Sequence, residues 1–144
     1  MAPSPLLNRA RATELAFFAL RVIAGVMFAL HGAQKLFGLW GIPAMPIGSQ
    51  LGIGAVIELV SGTLIALGLF TRIAAFIACG TMAVAYIQFH WKLNMDSRAL
   101  PLVNQGELAV LYCFLWLTLT FSGGGRFSLD HTLARTTSPQ PAGV

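Results

Sequence analysis

The chain has 144 residues, 56% of them apolar and only 10% charged, with a mean hydropathy of +0.75. A soluble domain carries about 25% charged residues, so a water-soluble enzyme built on a single core is excluded and much of the surrounding solvent is expected to be lipid. The net charge of +4 comes from nine Lys and Arg residues scattered along the chain; without a basic stripe they exclude nucleic acid as a partner.

A bilayer-spanning helix needs about 20 mostly apolar residues. In chain order, residues 1–13 form an N-terminal tail, and four spans follow at about 14–39, 48–70, 73–91 and 105–122. Gly41-Ile42-Pro43-Ala44-Met45-Pro46 separates the first two, Leu69-Phe70-Thr71-Arg72 turns the second into the third, and a longer segment with Asp96, Arg98 and Pro101 leads to the fourth. Residues 123–144 form a C-terminal tail. Pro, Ser and Thr near both ends, at 1–7 and 136–144, point to disorder. Arg9 and Arg11 ahead of an apolar run are also how a signal peptide begins, but the run is too long for one and no small-x-small cleavage site follows. The first segment is therefore read as a retained helix.

The expected fold is an all-α membrane protein, a bundle of four antiparallel transmembrane helices. Arg9, Arg11, Arg72, Arg126 and Arg135 fall on one side, and Lys35, Lys92 and Arg98 on the other. Positive loops stay in the cytoplasm, which places both termini there.

Ionisable groups inside hydrocarbon cost at least about 2.5 to 3.5 kcal/mol on insertion scales, so they should face other helices or a wet cavity. On the first span Arg21, Gly25, Ala29 and Ala33 recur every four residues, and on the second Glu58, Gly62 and Ala66 do the same. Small residues at this spacing let two backbones approach closely. Facing stripes would bring Arg21 and Glu58 together as an ion pair; the competing reading has Arg21 snorkelling to the headgroups and Glu58 protonated.

Counting 1.5 Å per residue puts His31, His90 and Glu107, from three different spans, roughly 22 to 27 Å from the cytoplasmic ends. Gln34 and Lys35 continue the first span, and Asn104 opens the fourth. Ala78, Met82, Tyr86 and His90 share an i, i+4 face, which would aim Tyr86 and His90 into one outward-opening polar pocket. Three readings stay open: a metal site, which no ligand spacing within one segment supports; a small polar or quinone-like ligand with proton exchange; or a structural hydrogen-bond network at headgroup level, where Trp40 and Trp91 would anchor the interface. No metal is assigned.

Cys79 and Cys113 fall at matching depths in the third and fourth spans. Buried thiols in lipid are mostly inert small hydrophobes and no CxxC activates either, while the matching depths leave a redox pair as the alternative reading. No P-loop, HExxH, GxSxG or dinucleotide fingerprint is present.

The stretches Arg21-Val22-Ile23-Ala24-Gly25-Val26-Met27-Phe28 and His31-Gly32-Ala33-Gln34-Lys35-Leu36-Phe37-Gly38 resemble the first helix of the DoxX family. Glu58-Leu59-Val60-Ser61-Gly62 with Leu67-Gly68-Leu69-Phe70-Thr71-Arg72 is similar to its second segment. Asn104-Gln105-Gly106-Glu107-Leu108 and Gly124-Gly125-Arg126-Phe127-Ser128-Leu129-Asp130 resemble its fourth helix and closing segment. The family's Asn-Gly-Gly-Glu carries Gln105 here, a larger side chain beside the pocket, and its Gly-Pro-Gly-Arg carries Gly124. The resemblance implies a multi-pass protein of the bacterial inner membrane. By analogy with a family member that is a subunit of thiosulfate:quinone oxidoreductase, and with others tied to thiol and oxidative-stress systems, it implies a quinone-linked redox role.

The resulting expectation is a quinone, or a similar small molecule, held at Arg21, His31, Glu58, His90 and Glu107, with a soluble or membrane redox partner and self-association both open. His31 and His90 would orient the ligand, Glu107 exchange protons, and Arg21 with Glu58 secure the first two helices. The alternative is a non-catalytic membrane scaffold or small-solute permease.

Overall fold

Small residues set how the first two long helices meet. Helix α1 spans Pro5–Phe37 and α2 spans Gln50–Leu67 in a computed structural model that describes residues 5–137. A Cβ added to Gly32 would lie 2.4 Å from the Leu59 backbone nitrogen, and one on Gly62 2.5 Å from that of Ala29. Only glycine permits these contacts. Position 25 of α1 lies against 62–66 of α2 and position 32 against 55–59, so the two run antiparallel along the small-residue stripes.

Ser49 opens α2, its hydroxyl accepting a hydrogen bond from the Gly52 amide at 3.1 Å, and Gly68 closes it at φ 70°. Helix α3 (Thr71–Ala85) starts after Phe70, which holds the left-handed conformation at φ 48°. Both carboxylate oxygens of Asp130 hold that start, accepting from the Phe70 and Thr71 amides at 2.7 and 2.9 Å. At its far end α3 widens into a π turn, Tyr86–Trp91, and the chain leaves through positive φ at Lys92 and Leu93. A short helix α4 (Pro101–Asn104) precedes α5 (Glu107–Ser122), and α6 (Leu129–Thr137) follows the glycine turn at 123–125. No strand occurs among the described residues.

Helix α1 packs most extensively on α2 and α3 on α5, while α2 against α3 joins the pairs. Arg72 beside Gly123, Cys79 beside Cys113 and Tyr86 beside Gly106 show that α3 and α5 are antiparallel. Phe28 of α1 closes the bundle, its ring 5.2 Å from Tyr112 and 5.3 Å from Trp116 of α5. Outside, large apolar side chains such as Phe76, Leu111 and Phe121 stand exposed, the inverse of a water-soluble bundle. Helices α1, α2 and α3 with its π turn are long and apolar enough to cross a bilayer; α5 is apolar and shorter.

Two segments expected to be tails carry helix. Helix α1 begins at Pro5, where the good helix formers Leu, Arg and Ala extend it beyond the apolar run. Residues 129–137 form α6 because the Ser128 hydroxyl accepts from the His131 amide at 3.2 Å, with Asp130 in the first turn and Arg135 in the last. Of the disorder expected at 1–7 and 136–144, residues 5–7 and 136–137 are instead helical, as parts of α1 and α6, and 1–4 and 138–144 fall outside the described residues.

Candidate functional site

The stripes face each other as expected, but their register does not join Arg21 to Glu58. With position 25 against 62–66, position 21 faces the end of α2. There the guanidinium donates to the Ile65, Ala66 and Phe127 carbonyls at 2.5, 2.7 and 2.7 Å. Arg21 is 1% exposed; instead of snorkelling, it ties two carbonyls of the last turn of α2 to the Phe127 carbonyl ahead of α6. Glu58 lies two turns away, roughly 10 Å along α2, and pairs with Lys35, whose Nζ approaches its carboxylate oxygens at 2.6 and 2.7 Å. The expected Arg21–Glu58 pair is thus replaced by Lys35–Glu58. Counting depth from each helix end did not fix the relative slide of the two helices.

The Lys35–Glu58 pair forms a wall shared by two cavities. An inner chamber of about 200 Å³ is lined by His31, Lys35, Glu58, His90 and Gln105, with Phe28, Met82 and Tyr112 among its apolar and aromatic contributions. A second cavity, about 510 Å³, is a groove between α2 and α3 lined by Leu51, Ile53, Ile57, Val84 and Phe89, and it ends on Lys35, Glu58 and His90. Gln50 also lines it, and its amide donates to Gln88. The groove is thus mostly apolar, with Lys35, Glu58, His90, Gln50 and Thr81 as its polar groups. Glu58 keeps a side-chain exposure of only 5%, against 32% for Lys35, so the cation is the wetter partner of the pair. Among the described residues the His31 ring and the Tyr112 hydroxyl have no hydrogen-bond partner, although both line the chamber. These groups can donate to or accept from a guest.

His90 reaches the chamber because of the π turn. There the Lys92 amide donates to the Ile87 carbonyl, five residues back, at 2.8 Å, and the wider turn leaves i and i+4 out of phase. Tyr86 and His90 therefore do not share the chamber. The rings lie nearly parallel with centroids 6.4 Å apart, but Tyr86 donates to the Ala99 carbonyl at 2.7 Å and lines a different, apolar cavity. Asn104 belongs to this outer network: its amide donates to the Arg98 carbonyl at 2.9 Å, and its own carbonyl lies 3.1 Å from His90 Nδ1.

Two further candidates stand apart. Glu107 is the exposed first residue of α5, outside both cavities, where its charge complements the helix N-terminus. Gln34 is half-buried on α1 and lines neither. Tyr112 and Phe28 are not among the site candidates the sequence offers, and Gln105 enters there only as a departure from the family's pattern. A lone tyrosine in the middle of an apolar span was the available signal for Tyr112. Among the described residues no three His, Cys, Asp or Glu side chains gather as a metal site would need.

An all-helical bundle sheathed in apolar side chains, with Arg21 and Glu58 turned inward onto partners on neighbouring segments, defines a membrane protein. The sequence model of the DoxX family matches residues 16–91, and the protein belongs to that family. It is 40% identical over 135 residues to an uncharacterized protein of Haemophilus influenzae, a match covering 87% of this chain and 94% of that one. It is 29% identical to a Bacillus subtilis protein named "Putative oxidoreductase CatD", over 81% of this chain and 86% of the relative. A third relative, an uncharacterized membrane protein of Mycobacterium tuberculosis, is 29% identical over 81% of this chain and 80% of its own length. No solved structure matches the chain.

Proposed function

We propose that this DoxX protein crosses the bacterial inner membrane four times, through α1, α2, α3 with its π turn, and α5, and that it binds a quinone or similar ring compound as part of a redox system. Helix α5 has 16 residues and measures about 24 Å, which a bundle accommodates by local thinning of the bilayer. With the antiparallel packing, Arg9, Arg11, Arg72, Arg126 and Arg135 then share the cytoplasmic face, and both termini lie there.

One observation carries the ligand reading: a mostly apolar groove shares Lys35, Glu58 and His90 with a chamber in which His31 and the Tyr112 hydroxyl have no hydrogen-bond partner among the described residues. A quinone has the matching form, an apolar body with two carbonyl acceptors on a flat ring. Lys35 and a histidine supply donors to those oxygens, and Glu58 and the histidines accept and return the protons that reduction brings. The oxidoreductase in the name of the Bacillus subtilis relative is consistent with such chemistry.

The test is retention of quinone by the purified protein, followed by titration with decylubiquinone in nanodiscs. Lys35→Met and His90→Ala should each weaken binding by about tenfold, the loss of roughly 1.4 kcal/mol. A wild-type protein that neither co-purifies with a quinone nor binds decylubiquinone would overturn the reading. Solute flux through liposomes containing the protein alone would then favour a permease.

A further inference from the structure

On the side of α3 away from the groove, the sulfurs of Cys79 and Cys113 lie 3.6 Å apart, bridging α3 and α5. Both are free thiols and half-buried. A disulfide needs its sulfurs about 2 Å apart, so side-chain torsions have to close a gap of roughly 1.5 Å without moving either helix. Cys113 also lines a separate cavity of about 410 Å³ with Tyr86, Trp91, Phe114, Ile87 and Pro101. The polar groups that face the groove are absent from its lining: Gly80, Thr81 and Val84 of α3 serve the groove, whereas Ala83, Tyr86 and Ile87 serve this cavity. Cys79 and Cys113 each stand about 12 to 14 Å from the Arg72–Gly123 end of their helices, well inside the hydrocarbon if these helices span it. Water-soluble thiol reagents are therefore poorly placed to reach the pair, but a flat, lipid-soluble molecule is not.

We infer that Cys79 and Cys113 form a redox-active dithiol whose oxidant is a quinone from the bilayer, received in the aromatic cavity beside Cys113. This rests on the quinone-linked reading above for its oxidant, but it uses a different cavity. The reaction is a two-electron exchange. The Cys113 sulfur bonds to the quinone while its proton passes to one ring oxygen. The Cys79 sulfur then attacks the Cys113 sulfur, the S–S bond forms as the sulfur–quinone bond breaks, the electron pair enters the ring, and the second proton goes to the other oxygen. Two thiols and one quinone become one disulfide and one hydroquinone. Cys113, which lines the cavity, is the attacking thiol; Cys79, held against it by the α3–α5 packing, resolves the adduct.

The experiment places the full chain in phospholipid nanodiscs with decylubiquinone, whose ring is fully substituted and so cannot remain as a simple arylation product. After quinone treatment the protein is unfolded in SDS, thiols are counted by maleimide labelling and intact mass, and hydroquinone is measured in parallel. The expected result is loss of labelling at both cysteines, a disulfide-linked Cys79–Cys113 peptide pair, and about one hydroquinone per chain, all reversed by dithiothreitol. Cys79→Ser and Cys113→Ser should form no hydroquinone by this route while keeping wild-type helicity. Full labelling of both cysteines after quinone treatment overturns the inference, even if diamide closes the disulfide. Groove binding is measured separately in the Cys79→Ser/Cys113→Ser protein. Binding there without thiol oxidation in the wild type sinks the dithiol and spares the groove; hydroquinone formation without groove binding does the reverse.

Discussion

Gly32→Ala offers the sharpest check on the packing that positions Lys35 and Glu58. In an isolated helix, replacing glycine by alanine gains about 0.8 to 1 kcal/mol. Here the added Cβ would meet the Leu59 nitrogen at 2.4 Å, the Ala55 oxygen at 2.5 Å and the Leu59 Cα at 2.9 Å. All three are backbone atoms, so no side chain can swing aside, and α1 and α2 must part by about 1 Å to restore ordinary contact near 3.5 Å. Overpacking of this kind costs about 1 to 3 kcal/mol. The Lys35–Glu58 bond, one turn from Gly32, would be stretched with it. Gly54→Ala and Gly80→Ala are internal controls, because a Cβ at either position meets nothing within 4 Å; each should be neutral or stabilising. The assay is thermal unfolding in detergent followed by helical circular dichroism. If Gly32→Ala proved as stable as Gly54→Ala, the close α1–α2 contact and the register built on it would both be wrong.

Three other outcomes follow from named contacts. Lys35→Met leaves the Glu58 carboxylate buried without its cation and should cost about 1 to 3 kcal/mol in the same melt, below the 3 to 5 kcal/mol typical of fully buried pairs because Lys35 is partly wetted; Lys35→Met/Glu58→Leu should recover most of that loss. Arg21→Met removes the donor to three carbonyls and should destabilise by about 2 to 3 kcal/mol, and Arg21→Lys should rescue little because an ammonium cannot match the planar fork. In the connection before α4, Asp96 chelates Arg98 at 2.7 to 3.0 Å, and the side-chain hydrogen bond holds its carboxyl down at about 2, below its ordinary 3.8. A depressed carboxyl contributes stability above its unfolded value and loses it as pH falls through the folded one. The protection of the amides at residues 96–99, measured against their intrinsic exchange rates, should therefore fall between pH 4 and pH 2. In Asp96→Asn that acid step should vanish, and an unchanged step would mean that Asp96 is not its source.

Residue chemistry alone determined that this chain is helical and made for lipid. The scarcity of charge, the lengths of the apolar runs and the glycine and proline turns required it, because an unpaired backbone is costly in hydrocarbon and helices pair it locally. The small-residue stripes were equally legible, since a four-residue spacing on a helix is a face before any partner is known. What those stripes could not say was how far one helix slides along the other. That slide gave Glu58 to Lys35 and sent Arg21 to the Ile65, Ala66 and Phe127 carbonyls. Likewise, matching depth suggested Cys79 and Cys113 as neighbours, but only the α3–α5 packing brings their sulfurs to 3.6 Å. The π turn, which separates Tyr86 from the chamber and admits His90, leaves no periodic mark in the sequence. Register, rotation and helix widening arise from contacts between segments distant in the chain, so they were decided only when the whole bundle closed.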